Sequence, residues 1–157
     1  MSEYKLSISM VPQALWGENL RKHLTRGSWN KLRLSQFERE PNCEFCGSSP
    51  SGAARHAHEE WDYEKTVGTA YLVKLRTICR MCHLVEHPGF VSVMVAKGHF
   101  TPAILDEIKY HFCIVNRCKA EDYCKHCEEA RSKYEELARV TDWKIDFGRY
   151  SELVNDR

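Results

Sequence analysis

The sequence predicts an α+β fold in which a small strand–strand–helix core carries helices at both of its ends. The middle of the chain holds an extended segment, a second apolar stretch and a short helix, in that order. Segments with apolar residues at helical spacing lie before and after it. Two cysteine pairs, Cys43–Cys46 and Cys79–Cys82, bracket the extended segments. Their spacing is typical of a four-thiolate zinc site, so the core is predicted to be zinc-bound.

The two C-x-x-C pairs also indicate what the metal does. Zinc is a borderline-soft ion that accepts four thiolates in a tetrahedron. The alternative, buried or disulfide-bonded cysteines, leaves the tight spacing at both ends unexplained. Four sulfur ligands leave no open position for a substrate, so the zinc is predicted to be structural. Any chemistry must then come from residues that the zinc holds in place.

The core elements follow from alternation and from helix-ending residues. Residues 54–63 are predicted to be extended, and residues 72–78 form the second apolar stretch. A short helix is predicted over residues 80–87, ended by Pro88-Gly89. Residues 90–96 fit a strand or a helix equally well.

The segment before the core predicts one strand and two helices. Leu6, Ile8 and Met10 alternate with polar residues, which predicts a short strand that ends at Pro12. A helix is predicted from Trp16 to Arg26, and a second helix begins at Ser28 as its N-cap and ends before Pro41. Trp16 and Trp29 are predicted to be core residues.

The segment after the core predicts two helices and a last strand. Thr101-Pro102 is typical of a helix start, and an apolar face continues to Val115. A second helix is predicted over residues 120–138. Alternating apolar residues at positions 143–147 predict a short final strand.

Length and composition indicate one soluble domain. The 157 residues are predicted to form an N-terminal strand and helical arm at 1–41, a zinc-bound core at 42–90 and a C-terminal helical lobe at 91–157. No apolar run reaches the roughly 20 residues that span a bilayer, and the first residues lack a signal-peptide core. We therefore expect a cytoplasmic protein with reduced thiols and no membrane partner.

Three histidines around the predicted helix are the candidate functional residues. His83 and His87 are four residues apart and so lie on one helix face. A strand beside that helix can bring His58 to both of them. Three imidazoles make a divalent metal site, with His56 as an extra candidate on the same strand face. The alternative is ordinary hydrogen-bonded histidines.

The middle of the chain resembles the HNH nuclease superfamily, and in particular a group of bacterial and phage members with a His-Glu-x-Trp motif. The resemblance rests on three motifs: Cys43-x-x-Cys46-Gly47, Ala57-His58-Glu59-Glu60-Trp61-Asp62-Tyr63 and Ile78-Cys79-x-x-Cys82-His83-x-x-x-His87-Pro-Gly89. It implies a two-stranded hairpin and a helix around one divalent ion, Mg²⁺, Mn²⁺ or another. It also implies hydrolysis of phosphodiester bonds in DNA.

The resemblance assigns roles to the histidines but leaves the first strand open. His83 and His87 correspond to the helix ligands of the ion. In one register His58 is a ligand and Glu59 stands at the position of the general base, whereas in the other His58 is the base and Ala57 replaces a ligand. The family's central asparagine is Lys74 here. The candidate catalytic residues are therefore His58, Glu59 and His83.

Two further clusters of residues have both a functional and a simpler explanation. Four more thiols could bind a second zinc, with His111 and His126 as substitutes, or could be small core residues: Cys113, Cys118, Cys124 and Cys127. A basic cluster could contact nucleic-acid phosphates or could be a solvated helix face: Arg21, Lys22, Arg26, Lys31 and Arg33.

Together these features predict a metal-dependent DNA endonuclease or nickase. The alternative is a non-catalytic zinc-bound module that binds nucleic acid or a protein partner, which Lys74, Glu59 and the net charge of only +1 favour. A purely structural zinc module is a third reading, but it leaves the histidine arrangement unexplained.

Overall fold

The computed structural model describes residues 3–155 and has an α+β architecture, as predicted. Its strands form one sheet in the order β1-β2-β3. The helices and strands are α1 (Arg26–Arg39), β1 (Arg55–Glu64), β2 (Thr69–Cys79), α2 (Arg80–Glu86), α3 (Pro88–Ala96), α4 (Ala103–Asn116), α5 (Ala120–Ala138), β3 (Lys144–Asp146) and α6 (Ser151–Asn155). Within residues 3–155, no helix is both long and apolar enough to cross a membrane.

The β1–β2 hairpin is the scaffold of the site. The strands pair antiparallel, with Arg55 opposite Cys79 at the open end and Glu64 opposite Thr69 at the turn. An irregularity between Glu60 and Trp61 shifts the register, so the alternation of faces is regular only up to Glu60. His56, His58 and Glu60 therefore share one face of β1, and Glu59 lies on the other.

Helix α2 begins directly at the end of β2. The Cys79 side chain accepts a hydrogen bond from the Cys82 amide and so caps the helix. The helix buries Leu84 and Val85 against α4, where Ile108 and Phe112 are almost fully buried. This packing fixes the helix that carries His83.

Residues 3–12 form no strand, so the predicted strand over residues 6–10 is wrong. Its backbone is paired by distant groups instead of a neighbouring strand. Leu6 N donates to Asn116 Oδ1 at 3.0 Å, and Ile8 N donates to His126 Nε2 at 2.9 Å. Ser9 N donates to the Glu86 carbonyl at 2.9 Å. The apolar alternation is real, because Leu6 is fully buried, but it reflects docking on α4 and α5.

The predicted helix over residues 16–26 is also wrong. One 3-10 turn lies just before this region, at Gln13–Leu15, and a second lies within it, at Leu20–His23. Gly17 adopts a φ of +81°, which interrupts any helix between them. Trp16 is 63% exposed and is not a core residue, whereas Trp29 is buried as predicted. Helix α1 starts earlier than expected, with Thr25 as its N-cap in place of Ser28.

The C-terminal part contains the predicted helices and last strand. The undecided segment 90–96 belongs to helix α3, and β3 pairs parallel with β2. Beyond β3, Tyr150 is buried and its hydroxyl accepts a hydrogen bond from Leu75 N at 2.9 Å. A second buried cluster joins this region to the hairpin and the N-terminal turns: Leu20, Leu24, Trp29, Leu72, Leu75 and Tyr150.

Candidate metal centres

The four cysteines of the paired motifs converge at the open end of the hairpin. Cys43 and Cys46 lie in a turn that closes when Gly47 N donates to the Cys43 carbonyl at 2.9 Å. Gly47 has a φ of +75°, a conformation that favours glycine. Glu44 N donates to the Thr77 carbonyl at 2.9 Å, which ties this turn to β2. The turn thereby faces Cys79 and Cys82 at the start of α2.

The geometry of these thiols fits a tetrahedral metal. Their sulfur atoms all lie within 4.8 Å of one another, and Cys46 Sγ is 3.7 Å from Cys79 Sγ. Sulfurs bound to zinc at about 2.3 Å in a tetrahedron are about 3.8 Å apart. Hydrogen bonding to Cys43 and Cys79, together with burial, raises the pKa of the Cys82 thiol. A divalent cation would offset this crowding of thiolate charge, so the cluster can hold a metal ion such as zinc.

His111 on α4 adjoins this cluster, a contact that the sequence did not predict. Its Nε2 atom lies 3.2 Å from Cys82 Sγ. The sequence offers His111 only as a substitute ligand for a second zinc, because His111 is far from Cys82 in the chain. A ring N–H that donates to a thiolate orients a metal ligand from outside the metal's own shell. His111 therefore links α4 to the cysteine cluster.

Three histidines form a second group beside the cysteines. His58 comes from β1, His83 from α2, and His87 is the residue that ends α2. One ring nitrogen of each lies within 4.8 Å of the others, and His58 Nε2 is 3.0 Å from His87 Nε2. The hairpin and helix thus bring together the three residues that the spacing singled out.

Burial keeps these imidazoles neutral. Desolvation, followed by the charges of neighbouring histidines, lowers the pKa of His58 to about 2 and that of His83 to about 3. Burial also lowers the pKa of His87. Neutral imidazole nitrogens are the form that binds metal. The group can therefore take a divalent ion without first losing protons at neutral pH.

His56 lies next to the group without joining it. Its ring centroid is 4.8 Å from that of His83, but the nitrogens that converge belong to the other three residues. Burial and the charge of Arg80 lower the pKa of His56. Its place is at the margin of the site.

Glu59 is engaged elsewhere. Its carboxylate accepts hydrogen bonds from Leu20 N at 2.9 Å and from Trp61 Nε1 at 3.0 Å. Burial raises its pKa, and these two bonds oppose that shift. Within the described chain its bonds run to the N-terminal turn and to Trp61, which packs against the cluster around Leu72 and Tyr150. This arrangement gives Glu59 a structural role.

Glu86 is the functional candidate that the sequence reasoning missed. It is only 6% exposed, and its Oε2 lies 3.1 Å from His58 Nε2. That oxygen has no hydrogen-bond partner among the described residues. Burial raises the pKa of Glu86 to about 8, against the opposing charge of Arg76. The signal was available, because His83-x-x-Glu86-His87 places a carboxylate on the same helix face, one turn from His83.

The strand next to His58 carries a network of ion pairs. Arg76 is opposite His58 in the hairpin, and its guanidinium pairs with Glu60. Lys74 Nζ lies 2.9 Å from Glu44 Oε1. Lys74 therefore ties β2 to the cysteine turn.

Two sequence predictions remain: the second zinc site and the basic cluster. In the part of the chain that the structure describes, only the cysteine and histidine groups above bring three or more metal-binding atoms together. The four cysteines of the predicted second zinc site do not form such a group: Cys113, Cys118, Cys124 and Cys127. In the basic cluster Arg21, Arg26 and Lys31 are exposed, whereas Lys22 pairs with Glu18 and Arg33 leans on the Phe37 ring.

Comparisons with known proteins leave the family open. No protein-family model, no curated protein and no solved structure matches this chain.

Proposed function

We propose that the protein is a metal-dependent nuclease of the HNH type, which hydrolyses phosphodiester bonds in DNA. The observation that carries the proposal is the convergence of His58, His83 and His87 within 4.8 Å. These residues come from one strand and the helix that follows the hairpin, which is the arrangement that the sequence resemblance implies. The cysteine cluster supports it by tying the base of that helix to the hairpin.

The geometry favours His58 as a ligand. Its Nε2 atom lies 3.0 Å from that of His87, inside the group of converging nitrogens. Three nitrogen donors suit transition ions better than Mg²⁺, which prefers oxygen. Mn²⁺, Ni²⁺ or Zn²⁺ would therefore bind more tightly than Mg²⁺. When bound, the ion would stabilise negative charge on the phosphate and on the leaving 3′ oxygen.

With His58 as ligand and Glu59 held by Leu20 and Trp61, the general base must be another group. Glu86 Oε2 lies beside His58 and has no hydrogen-bond partner in the described chain. A cation bound beside it would lower the raised pKa of this carboxyl and favour its ionised form, and we assign to that carboxylate the proton of the attacking water. As the water oxygen bonds to phosphorus, the proton passes to Glu86 Oε2. The bond from phosphorus to the 3′ oxygen breaks, and that oxygen takes a proton from solvent.

The second candidate function is a non-catalytic zinc-bound module that binds nucleic acid or a protein partner. Two observations favour it. Lys74 is committed to an ion pair with Glu44, and Glu59 to hydrogen bonds in the fold. Both stand at positions that are catalytic or supporting in the family. Under this alternative the three histidines bind an ion or hydrogen-bond to one another, and the protein does not hydrolyse phosphodiester bonds.

Nicking of supercoiled plasmid separates the two functions. Zinc-loaded wild type would be assayed with Mg²⁺, Mn²⁺ or Ni²⁺ beside His58→Ala and His83→Ala, with exposed His99→Ala as the matched control. The nuclease proposal expects nicking by wild type and by the control, and none by the two site variants. Absence of nicking by folded wild type with every ion would support the binding module.

A further inference from the structure

Three arginines lie at the open end of the hairpin without acidic partners. Arg33 belongs to α1, Arg55 begins β1 and Arg80 begins α2. Among residues 3–155, no carboxylate forms an ion pair with any of them. Other cations nearby are paired, as Lys74 and Arg76 are with Glu44 and Glu60. The charges of these three arginines are therefore not neutralised by ion pairs within the described residues.

Two of these arginines are held against the same aromatic ring. The Arg55 guanidinium carbon lies 4.5 Å from the centroid of Phe37, and that of Arg33 lies 5.8 Å from it. Phe37 is buried, so both guanidinium groups have a fixed support. Two like charges over one ring repel each other. An anion between or beside them would offset that repulsion.

Unused hydrogen-bond donors point the same way. The Nε atoms of Arg33 and Arg55 are shielded from solvent and have no hydrogen-bond partner in the described chain. A buried donor without a partner is unfavourable, and more so in a charged group. Both residues are only half-buried, so an oxyanion at their solvent-facing side would offset the charge of both guanidinium groups.

The same arginines adjoin the histidine group. Arg55 pairs with Cys79 across the hairpin and precedes His56 in β1. Arg80 follows Cys79 and is exposed, and its guanidinium carbon lies 5.5 Å from the centroid of the Phe100 ring. His56 in turn contacts the ring of His83. The three arginines thus lie on α1, on the edge strand β1 and at the start of α2, next to the histidine group.

We propose that Arg33, Arg55 and Arg80 bind the phosphodiester backbone of a nucleic-acid strand and lead it to the histidine group. The inference rests on the proposed function, since it names the residues that hold that substrate. Guanidinium groups match phosphate oxygens with paired donors, and a rigid ring support lowers the entropy lost on binding. Only Arg33 of these three arginines belongs to the basic cluster that the sequence offered as a phosphate contact.

Binding is tested apart from cleavage. Zinc-loaded protein, with no other divalent ion added, would be titrated into a short fluorescein-labelled duplex or single strand, and anisotropy followed from about 50 to 200 mM salt. Arg33→Gln/Arg55→Gln and Arg80→Gln would be compared with wild type and with Arg131→Gln, an exposed arginine on α5. Lysine variants at the same positions keep the positive charge but lose the paired N–H donors of the guanidinium group. Thermal melting curves show whether each variant is folded.

The inference expects each lost phosphate contact to lower the slope of log affinity against log salt by about 1. The double variant should lose on the order of 10- to 100-fold in affinity at low salt, with partial recovery in the lysine variants. Equal losses in Arg131→Gln, or unchanged binding in the folded double variant, would overturn it. If wild type binds neither DNA form, both this inference and the proposed function fail, whereas binding indifferent to these arginines removes only the inference.

Discussion

Glu86 Oε2 lies 3.1 Å from His58 Nε2, which joins the last turn of α2 to the middle of β1. The contact is buried and sits directly beside the group formed by His58, His83 and His87. Glu59, which follows His58 in the sequence, is bonded instead to Leu20 and Trp61. Of the two carboxylates, Glu86 is therefore the one in reach of the candidate reaction centre.

Glu86→Gln should separate proton transfer from ion binding. The amide keeps the shape but cannot accept the proton of water, so nicking should fall by about 100-fold or more while the bound ion is retained. Glu59→Gln is the matched control, because it keeps an acceptor for one of its two bonds and should change the rate only a few-fold. Nicking rates and ion content of both variants check this. Equal activity of Glu86→Gln and wild type would rule out the role given to Glu86.

Loss of one cysteine ligand should release the structural metal. In Cys46→Ser the bound zinc should fall well below one equivalent, and the melting temperature should drop by roughly 10 °C, since metal loss is among the largest single destabilising changes. Cys124→Ser changes an exposed thiol outside the cluster and should keep both zinc and stability. Metal analysis and thermal unfolding are the measurements. Full zinc retention by Cys46→Ser would contradict the four-cysteine site.

Acid should weaken the docking of the N-terminal segment through His126. Its Nε2 accepts the Ile8 amide, burial lowers its pKa, and the Glu129 carboxylate, 3.8 Å from Nδ1, opposes that shift. Tyr4 packs on the same ring. Because the native state binds this proton less readily than the unfolded state, the contribution of His126 to stability is fully present above about pH 6.5 and is lost as the pH falls below it.

His126→Gln should remove this part of the pH dependence. Between pH 6.5 and 5.5 the wild type should lose up to roughly 1 kcal/mol more than the variant. Denaturant unfolding at both pH values gives the difference, with exposed His99→Gln as control. A pH dependence as steep in His126→Gln as in wild type would show that His126 does not contribute.

Tyr150→Phe should destabilise the fold through one hydrogen bond. The Tyr150 hydroxyl accepts from the Leu75 amide in a buried contact, and its loss leaves that N–H unpaired. We expect a decrease of about 1–3 kcal/mol in the free energy of unfolding. Tyr110→Phe, at a side chain that is 69% exposed, should have little effect. Denaturant titrations of the two variants check this, and similar values for both would argue against the bond.

The sequence predicted the parts of the fold whose signals are local. The hairpin and α2 follow from alternation, the C-x-x-C pairs and Pro88-Gly89, all within a short stretch. The spacing of His83 and His87 fixes them on one helix face, so only His58 needed a tertiary assumption. The structure contains the hairpin, α2 and the two helix histidines as predicted, because residues close in the sequence determine all three features.

Long-range contacts explain what the sequence could not predict. Leu6 and Ile8 alternate as a strand would, yet their amides pair with Asn116 and His126, more than a hundred residues away. Trp16 is exposed because Gly17 turns the chain before a helix can form. The spacing places Glu86 on the helix face of His83, but only the packing of α2 against β1 brings it to His58.

Counting the ions that the chain binds tests the central claim most directly. Metal-free protein would be titrated with Co²⁺, whose thiolate charge-transfer absorption reports the cysteine cluster and whose weaker visible bands report nitrogen ligands. The account predicts two equivalents, the second of which is lost in His58→Ala and His83→Ala but kept in His99→Ala. Saturation at a single thiolate-bound equivalent in wild type would contradict it.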